Sequence, residues 1–341
     1  MKTFVVAALA VAAFGVALDS AQAKATARED TVENRRRMIL ENDAVRLTVL
    51  PDPGGTVIEF TDKRTGVNYV AGGDNVLKGR LGWGWKDYYW LESLDQLGRG
   101  VMGLPYKGEF RDVPGGKAIH VSCEVEGRRF ERELRLADRG GELYTLVKIT
   151  NISDKPLRLQ CRWHAYSTLD DALAESSCIV AAGPNGQARK CFIGSGWDHQ
   201  LITADGYWLA ANYRNGTGLW MTFKKEQSSV HMTWTDYNHA RKAPTRGAFV
   251  AEPHPEAVLA QPGESAQYEC SFLPFTAQDS PEEMPLGVLS DPAERERARS
   301  FLRNVKPNLA AIGPYSMTPG QPPAGLNAKP DENRFSFSHR R

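Results

Sequence analysis

The sequence predicts an all-β fold, a large sandwich of antiparallel strands followed by one short helix. Three observations support this prediction. Residues 44–50 alternate between apolar and polar types, which is typical of a strand with one buried face. Turn signals rich in glycine, proline and asparagine separate such runs at short intervals, as at residues 52–55 and 214–216. The β-rich region extends over residues 38–274, which is more than a simple sandwich of about seven strands needs.

The same alternation predicts the individual strands in chain order. Residues 44–50 and 56–61 form a first hairpin, and residues 118–126 and 128–136 form another around Gly127. Further strands are predicted over residues 143–149, 157–162, 207–213, 218–224, 230–234 and 266–274.

One helix is predicted after the strands, over residues 293–305. Ser290 or Asp291 can cap it, and Pro292 suits the first turn because a proline there gives up no hydrogen bond. Beyond residue 313 the chain is rich in Pro, Gly, Ser and Asn, so a disordered tail is expected. The expected divisions are a signal peptide (1–23), a loosely attached charged segment (24–37), a β-sandwich domain (38–288), a helical segment (289–312) and the tail (313–341).

Residues 1–23 have the pattern of a secretory signal peptide. Lys2 gives a positive start, residues 5–18 are a short apolar run, and residues 21–23 (Ala-Gln-Ala) match a cleavage site. The apolar run is too short for a stable membrane anchor, and no later stretch approaches membrane length. We therefore expect an exported protein, periplasmic or secreted, cleaved after Ala23.

Charge and cysteine content narrow the class of protein further. The 42 basic and 41 acidic residues leave a net charge of +1, which argues against nucleic acid as a partner. Export permits disulfides, and an odd number of cysteines leaves at least one unpaired. The sequence allows two states of the cysteines: a hairpin disulfide between Cys178 and Cys191, or burial as reduced thiols. The cysteines are Cys123, Cys161, Cys178, Cys191 and Cys270, and none has metal-ligand spacing.

The segment around His164 carries the strongest functional pattern. His164 and Tyr166 are two residues apart on a predicted strand, so they project from one face, with Arg162 on the same side. An imidazole, a phenol and a guanidinium on one sheet face suit the recognition of sugar hydroxyls. Far along the chain, Glu252 precedes Pro253 in an extended segment and supplies a candidate carboxylate.

Further candidates for sugar contact lie in three other segments. The aromatic run at residues 83–90 could stack on a pyranose ring where its rings are exposed, and form core where they are buried. Lys86 could bind an acidic sugar or a hydroxyl. Residues 197–199 and 235–241 are expected to be loops dense in hydrogen-bonding groups, whereas His231, within a predicted strand, is interpreted as structural. The candidates are Trp83, Trp85, Lys86, Tyr89, Trp197, His199, Tyr237 and His239.

Three segments resemble the galactose mutarotase-like superfamily, which includes the aldose 1-epimerases. Residues 41–66 resemble its opening hairpin, residues 147–169 the strands that end in its H-x-Y motif, and residues 247–275 the part that carries its carboxylate and a Pro-Gly-Glu turn. The segments occur in the family's order. The resemblance implies a β-supersandwich with a sugar site in a concave sheet face, and a chemistry that needs no metal or cofactor.

The same resemblance assigns two catalytic roles. His164 matches the family's general acid, and Glu252 matches its general base. Active epimerases also carry another histidine in an earlier segment, which corresponds here to residues 82–90 and contains no histidine. Fold resemblance alone does not select an activity.

Three functions are therefore open, each with a mono- or oligosaccharide as the partner. The first is an aldose 1-epimerase-like enzyme that uses His164 and Glu252. The second is a polysaccharide lyase or other uronic-sugar enzyme that uses Tyr166, His164, Arg162 and Lys86. The third is a non-catalytic periplasmic sugar-binding or accessory protein. Nothing in the sequence indicates an oligomeric state.

Overall fold

The computed structural model describes most of the chain between residues 24 and 306. The described residues are 24–79, 84–87, 101–160, 163–169, 177–182, 188–191, 198–203, 206–212, 215–224, 229–238, 243–254 and 257–306. The signal peptide and the tail predicted from the sequence lie outside them.

The described residues form twenty strands, two helices and a short 3-10 turn at Val101–Gly103. The strands are β1 (Thr26–Val32), β2 (Arg35–Glu41), β3 (Val45–Leu50), β4 (Thr56–Asp62), β5 (Trp85–Asp87), β6 (Lys107–Val113), β7 (Gly116–Val125), β8 (Arg128–Ala137), β9 (Leu143–Asn151), β10 (Leu157–Leu159), β11 (Trp163–Ser167), β12 (Ser177–Ala182), β13 (Ala188–Cys191), β14 (Asp198–Thr203), β15 (Tyr207–Asn212), β16 (Thr217–Phe223), β17 (Ser229–Asn238), β18 (Ala243–His254), β19 (Val258–Ala260) and β20 (Ser265–Thr276). The helices are α1 (Gly73–Leu77) and α2 (Pro292–Val305).

The strands form two large antiparallel sheets and one small sheet. The first sheet has the order β1-β2-β3-β4-β5-β11-β18-β17-β14, and the second has the order β13-β12-β15-β16-β20-β9-β8-β7-β6. The small sheet pairs β10 with β19. The predicted all-β sandwich with a short C-terminal helix is confirmed.

The main core lies between the two large sheets. β8 and β9 alternate strictly between buried and partly exposed positions, as expected for strands with one face in the core. Phe130, Leu134 and Val147 point inward from the second sheet, and they join a cluster with Leu47 and Phe60 of the first sheet. The apolar alternation read from the sequence therefore identifies the inner face directly.

The centre of the second sheet is buried on both faces. Every residue of β15 and β16 is buried, because α2 covers the side turned away from the main core. The Phe301 ring lies 5.2 Å from that of Tyr207 and 6.0 Å from that of Trp220. The Asp291 side chain accepts a hydrogen bond of 2.9 Å from the Ala293 amide, which confirms the predicted cap.

Two expectations about the strands are wrong. Residues 24–37 are not loosely attached: β1 and β2 form a hairpin, and β2 pairs with β3. The strand predicted over residues 157–162 is too long at its end, because β10 stops at Leu159 and pairs with β19, while residues 161 and 162 lie outside the described residues. The alternation of apolar and polar residues predicts individual strands, but it does not predict at which residue the chain passes from one sheet to another.

Of the cysteines, Cys178 lies on β12 and Cys191 on β13, where Cys191 is opposite Ile179. The structure describes only the backbone of both, so the hairpin disulfide between them stays a prediction. Cys123 and Cys270 are buried thiols. Neither α1 nor α2, the helices of the described chain, is long and apolar enough to cross a bilayer.

Candidate functional site

Strand β11 brings the predicted site residues to the middle of the first sheet. On one side it pairs with β5, where His164 lies opposite Lys86 and Ala165 opposite Trp85. On the other side it pairs with β18, where Tyr166 lies opposite Val250. Three segments that are far apart in sequence thus become adjacent strands.

The two faces of this part of the sheet differ in chemistry. Trp85, Ala165 and Phe249 belong to the main core between the sheets. Lys86 and Tyr166 alternate with them and therefore lie on the opposite face. We call this opposite face, which carries His164 and Tyr166, the outer face of the first sheet.

One row of residues crosses the outer face and holds both proposed catalytic groups. The observed pairs of β11 and β18 are Tyr166–Val250 and Ser167–Phe249, and extending this register by two residues along both strands would bring His164 opposite Glu252. On its other side β18 pairs with β17, and there Glu252 lies opposite His231. Lys86, His164, Glu252 and His231 therefore occupy successive strands, and we call them the His164 row.

A second row lies beside the first on the same face. Tyr166 lies opposite Val250, Val250 opposite Thr233, and Thr233 opposite His199 of β14. The register between β17 and β18 shifts between Thr235 and Tyr237, and the extra residues of this bulge belong to β18. β17 therefore keeps its alternation, and Tyr237 occupies the same face as Thr233. His199 and Tyr237, expected in loops, lie on strands instead.

Hydrogen bonds hold β11 in place from several sides. The Tyr166 carbonyl accepts from the Ala71 amide at 2.9 Å and from the Trp85 indole Nε1 at 3.1 Å. The Thr168 amide donates to the Tyr69 carbonyl at 3.0 Å. These hydrogen bonds fix the backbone that follows His164 in the chain.

Trp85 supports the site from within the core and does not offer its ring to a sugar. Its side chain is fully buried, 5.6 Å from the Phe60 ring and 4.7 Å from the Phe272 ring. The prediction that Trp85 stacks on the substrate is therefore wrong. Its neighbour Lys86, on the outer face, keeps its candidate role.

A glycine sets the start of β5. Gly84 has a φ of 58°, and a Cβ built there would lie 2.5 Å from Thr56 Cγ2 and 2.7 Å from the Val57 carbonyl oxygen. Its amide donates to the Ala71 carbonyl at 3.0 Å. Only glycine tolerates both this backbone conformation and this close approach, and the turn directs Lys86 to a position beside His164.

Burial shapes the electrostatics of the outer face. Lys86 is only 9% exposed, and this desolvation lowers the pKa of its ammonium from 10.5 to about 8. Burial also raises the pKa of the Tyr166 phenol, which therefore stays protonated at neutral pH and can donate a hydrogen bond. The half-buried His164 ring stacks on the Tyr166 ring at a centroid distance of 5.8 Å.

The remaining predicted residues divide into two groups. For Glu252, His199 and Tyr237 the structure describes the backbone position alone. Five other candidates lie outside the described residues, namely Trp83, Tyr89, Arg162, Trp197 and His239.

The register adds one position to the neighbourhood of the candidate site. His231, interpreted as structural from the sequence, lies opposite Glu252, and the structure describes its backbone position alone. A signal was present in the sequence: His231, Thr233 and Thr235 alternate with apolar residues, as expected for a strand whose polar positions share one face. The alternation shows that His231 belongs to the polar face but not what lies opposite.

A separate cleft of about 220 Å³ lies between the β3–β4 hairpin and the segment after β20. Three of its charged residues bind one another, since Arg64 contacts Asp62 at 3.0 Å and Asp279 at 2.8 Å. This cleft joins two parts of the fold and shares no residue with the His164 row.

Comparison with known proteins supports the fold. No family model matches the chain, and no curated protein does. A galactose mutarotase-like protein from Clostridium acetobutylicum matches with a TM-score of 0.56 at 10% identity, over 74% of this chain and 99% of that one. A protein from Escherichia coli K12, provisionally assigned as an aldose 1-epimerase, matches with a TM-score of 0.54 at 14% identity, over 74% and 99%.

The same fold also occurs inside a larger protein. A TPR-domain containing protein from Parabacteroides distasonis matches with a TM-score of 0.55 at 14% identity, over 76% of this chain and 51% of that one. At these identities the likeness establishes the fold and no more. The chain has the galactose mutarotase-like fold, as its sequence segments predicted.

Proposed function

We propose that this protein is an exported enzyme of the aldose 1-epimerase type, in which His164 and Glu252 interconvert sugar anomers. The observation that supports this proposal is that β11 and β18 are adjacent antiparallel strands, so that extending their register by two residues from the pair Tyr166–Val250 would align His164 with Glu252. The fold supports a sugar ligand at a coarser level. Export is proposed from the signal-like residues 1–23.

The chemistry requires two proton transfers on the sugar. The Glu252 carboxylate takes the proton from the anomeric hydroxyl, and the His164 imidazolium gives a proton to the ring oxygen as the bond between C1 and that oxygen breaks. The resulting aldehyde rotates about the C1–C2 bond. In the closing step His164 removes the proton from the C5 hydroxyl, and Glu252 returns its proton to the new anomeric oxygen.

The neighbours of this pair orient the sugar. The neutral Tyr166 phenol, next to the His164 ring, can donate to a sugar hydroxyl. Residues 82–90, where active epimerases of the resembled family carry another histidine, contribute Lys86 at the position opposite His164. A lysine can donate hydrogen bonds to the substrate at the place of that histidine.

The test is the rate at which a freshly dissolved α-aldose reaches its anomeric equilibrium, followed by polarimetry or NMR. We expect the protein to accelerate this relaxation for at least one member of an aldose panel. His164→Asn and Glu252→Gln should each lower the catalysed rate by about 10²- to 10⁴-fold. His120→Asn is the matched control, because His120 lies on the second sheet near Glu109 and Glu131.

Two results would contradict the proposal in different ways. Unchanged relaxation with every sugar, combined with saccharide binding in calorimetry, would favour the non-catalytic binding protein. The lack of a histidine in residues 82–90 is the observation that favours this second candidate. Products that absorb in the ultraviolet, formed from uronic polysaccharides, would instead identify a lyase.

A further inference from the structure

Residues 281–306, which include α2, lie against the outside of the second sheet, and we call them the C-terminal segment. The Arg295 side chain donates to the Leu289 carbonyl at 2.9 Å and so ties the helix to the chain that precedes it. At the end of α2, Lys306 donates to the Ala277 carbonyl at 3.2 Å. Both ends of the segment are thus held near the end of β20, and the part between them covers the sheet.

The contact between the C-terminal segment and the sheet is largely apolar. Leu286, Leu289 and Phe301 of the segment form one buried cluster with Tyr207 and Trp220 of the sheet. Removal of these side chains from water holds the segment in place. Opening of the segment would expose the aromatic outer side of β15 and β16.

A polar cluster lies beneath this segment at Gly287. It consists of Thr222 on β16, Ser271 on β20 and Glu142, which directly precedes β9. The two hydroxyl oxygens are 2.8 Å apart, and the Val288 amide donates to Thr222 Oγ1 at 3.3 Å. A Cβ built on Gly287 would clash with both hydroxyl oxygens and would lie 2.9 Å from Glu142 Oε1. The segment therefore rests directly on the three polar side chains.

Glu142 is the carboxylic acid of this cluster. Its Oε1 atom is buried, although the residue as a whole is only partly buried. Burial raises the pKa of the Glu142 carboxyl above its ordinary value, because the charged form loses its hydration. The Ser271 hydroxyl and the Arg295 guanidinium lower the pKa, but by less than burial raises it.

The other charged groups around Glu142 have partners of their own. Arg295 of α2 donates to a backbone carbonyl, as described above. Lys224 of β16 contacts Glu269 of β20 at 2.5 Å, and Glu269 also accepts from the Tyr144 hydroxyl at 2.8 Å. Residues 284–289, which cover the cluster, contain no titratable side chain. Ionisation of Glu142 therefore places a charge beneath an apolar part of the segment.

We infer that the C-terminal segment is a pH-sensitive latch, which closes on the second sheet when Glu142 is neutral and opens more readily when Glu142 is ionised. The closed state keeps the proton on Glu142 to a higher pH than the open state, in which water reaches the carboxyl. Closure is therefore most favoured in acid and is weakened as the pH rises through the pKa of Glu142 in the closed state. The latch is independent of the proposed function.

Amide hydrogen exchange at pH 5 and pH 8, followed by mass spectrometry and corrected for the intrinsic exchange rates, tests the latch in the wild-type protein. We expect the opening constant of the α2 amides to rise by at least about 10-fold between the two pH values, because an ionised carboxyl is costly to bury. The amides of β8, in the same sheet, report global unfolding and serve as the internal reference.

Glu142→Gln should remove this rise and leave α2 equally protected at both pH values. Glu124→Gln is the matched control, because Glu124 is an exposed carboxylate of the same sheet that accepts from Arg129 at 2.7 Å. It should retain the rise seen in the wild type.

Gly287→Ala tests the contact without changing a titratable group. The added Cβ has no room in the closed state, so α2 exchange should increase at both pH values. Gly263→Ala is its control, because Gly263 also has a positive φ, of 84°, but has open space where the Cβ would lie. This control should leave the exchange of α2 unchanged.

Three results would overturn the inference. The first is the same opening constant of α2 at pH 5 and pH 8 in the wild type. The second is a rise with pH that survives in Glu142→Gln. The third is exchange of α2 and β8 at the same rate, which would mean that the segment opens only when the whole protein unfolds. None of these results bears on sugar turnover, so the latch and the proposed function can fail separately.

Discussion

Lys86 and Trp85 show how one position along a strand separates a side chain of the candidate site from a side chain of the core. The two residues are neighbours on β5, yet Trp85 enters the core and Lys86 joins the outer face. Composition alone favours a tryptophan as the sugar contact, because flat aromatic rings suit sugars. Trp85 nevertheless lies in the core, because successive side chains of a strand point to opposite faces and Lys86 takes the outer one.

The burial of Lys86 should destabilise the fold at neutral pH. Its folded-state pKa, about 8, lies below the unfolded value of 10.5 because burial disfavours the charged form. Below pH 8 both states hold the proton, and the folded state bears the full desolvation penalty. Between pH 8 and 10.5 the folded state releases the proton while the unfolded state still holds it. The contribution of Lys86 to the free energy of unfolding therefore rises with pH in this range.

We therefore expect Lys86→Met to be more stable than the wild type at pH 7, by about 1–3 kcal/mol. This advantage should shrink between pH 8 and 10.5. Urea denaturation of both proteins at pH 7 and pH 10 measures it, because the titration of all other groups cancels in the difference. A stability difference that stays constant with pH would contradict the account of Lys86 burial.

The start of helix α2 is set by residues that are close together in the sequence. The cap at Asp291 and the proline that follows it lie within a few residues of each other, so the sequence predicts the start of the helix correctly. What the helix covers depends on residues far away. Tyr207 and Trp220, on β15 and β16, receive its Phe301 side chain.

The contributions of α2 packing and of the α2 cap to the free energy of unfolding can be compared with two variants. Phe301→Ala should lower the free energy of unfolding by about 3–5 kcal/mol, because it removes a fully enclosed ring and leaves a cavity. Asp291→Ala should lower it by only about 1 kcal/mol, since it removes a single capping hydrogen bond. Urea denaturation compares the two variants, and equal effects would mean that the helix does not cover the second sheet as described.

The sandwich as a whole buries thiols that the sequence leaves undecided. Cys123 lies on β7 and Cys270 on β20, both within the second sheet, and both contribute to the main core. Burial raises the pKa of the Cys270 thiol, which lowers the fraction of reactive thiolate. Access to either sulfur therefore requires the two sheets to separate.

Thiol labelling tests this enclosure. Iodoacetamide followed by peptide mass spectrometry should leave Cys123 and Cys270 unmodified in the native protein and modify both in urea. The modification should follow the same urea transition as the circular dichroism signal, because both report global unfolding. Rapid native labelling of either cysteine would contradict a closed core.

Many of the strands, such as β3, β7, β8 and β9, and the C-terminal helix follow from the order of residues alone, because alternation, turn chemistry and helix caps depend on near neighbours. The three family-like segments likewise predicted the supersandwich that the structure shows. The sequence also proposed His164 and Glu252 as partners, although by resemblance and not by geometry.

Which residues form the His164 row is decided by the tertiary structure. β5, β11 and the hairpin of β17 and β18 are adjacent in the sheet, yet these three parts are distant from one another in the chain. Their register results from the packing of the whole core, and a shift by one residue would turn each side chain to the other face. For this reason the assembled sheets, and not the sequence, place Lys86 opposite His164, His231 opposite Glu252 and Trp85 in the core.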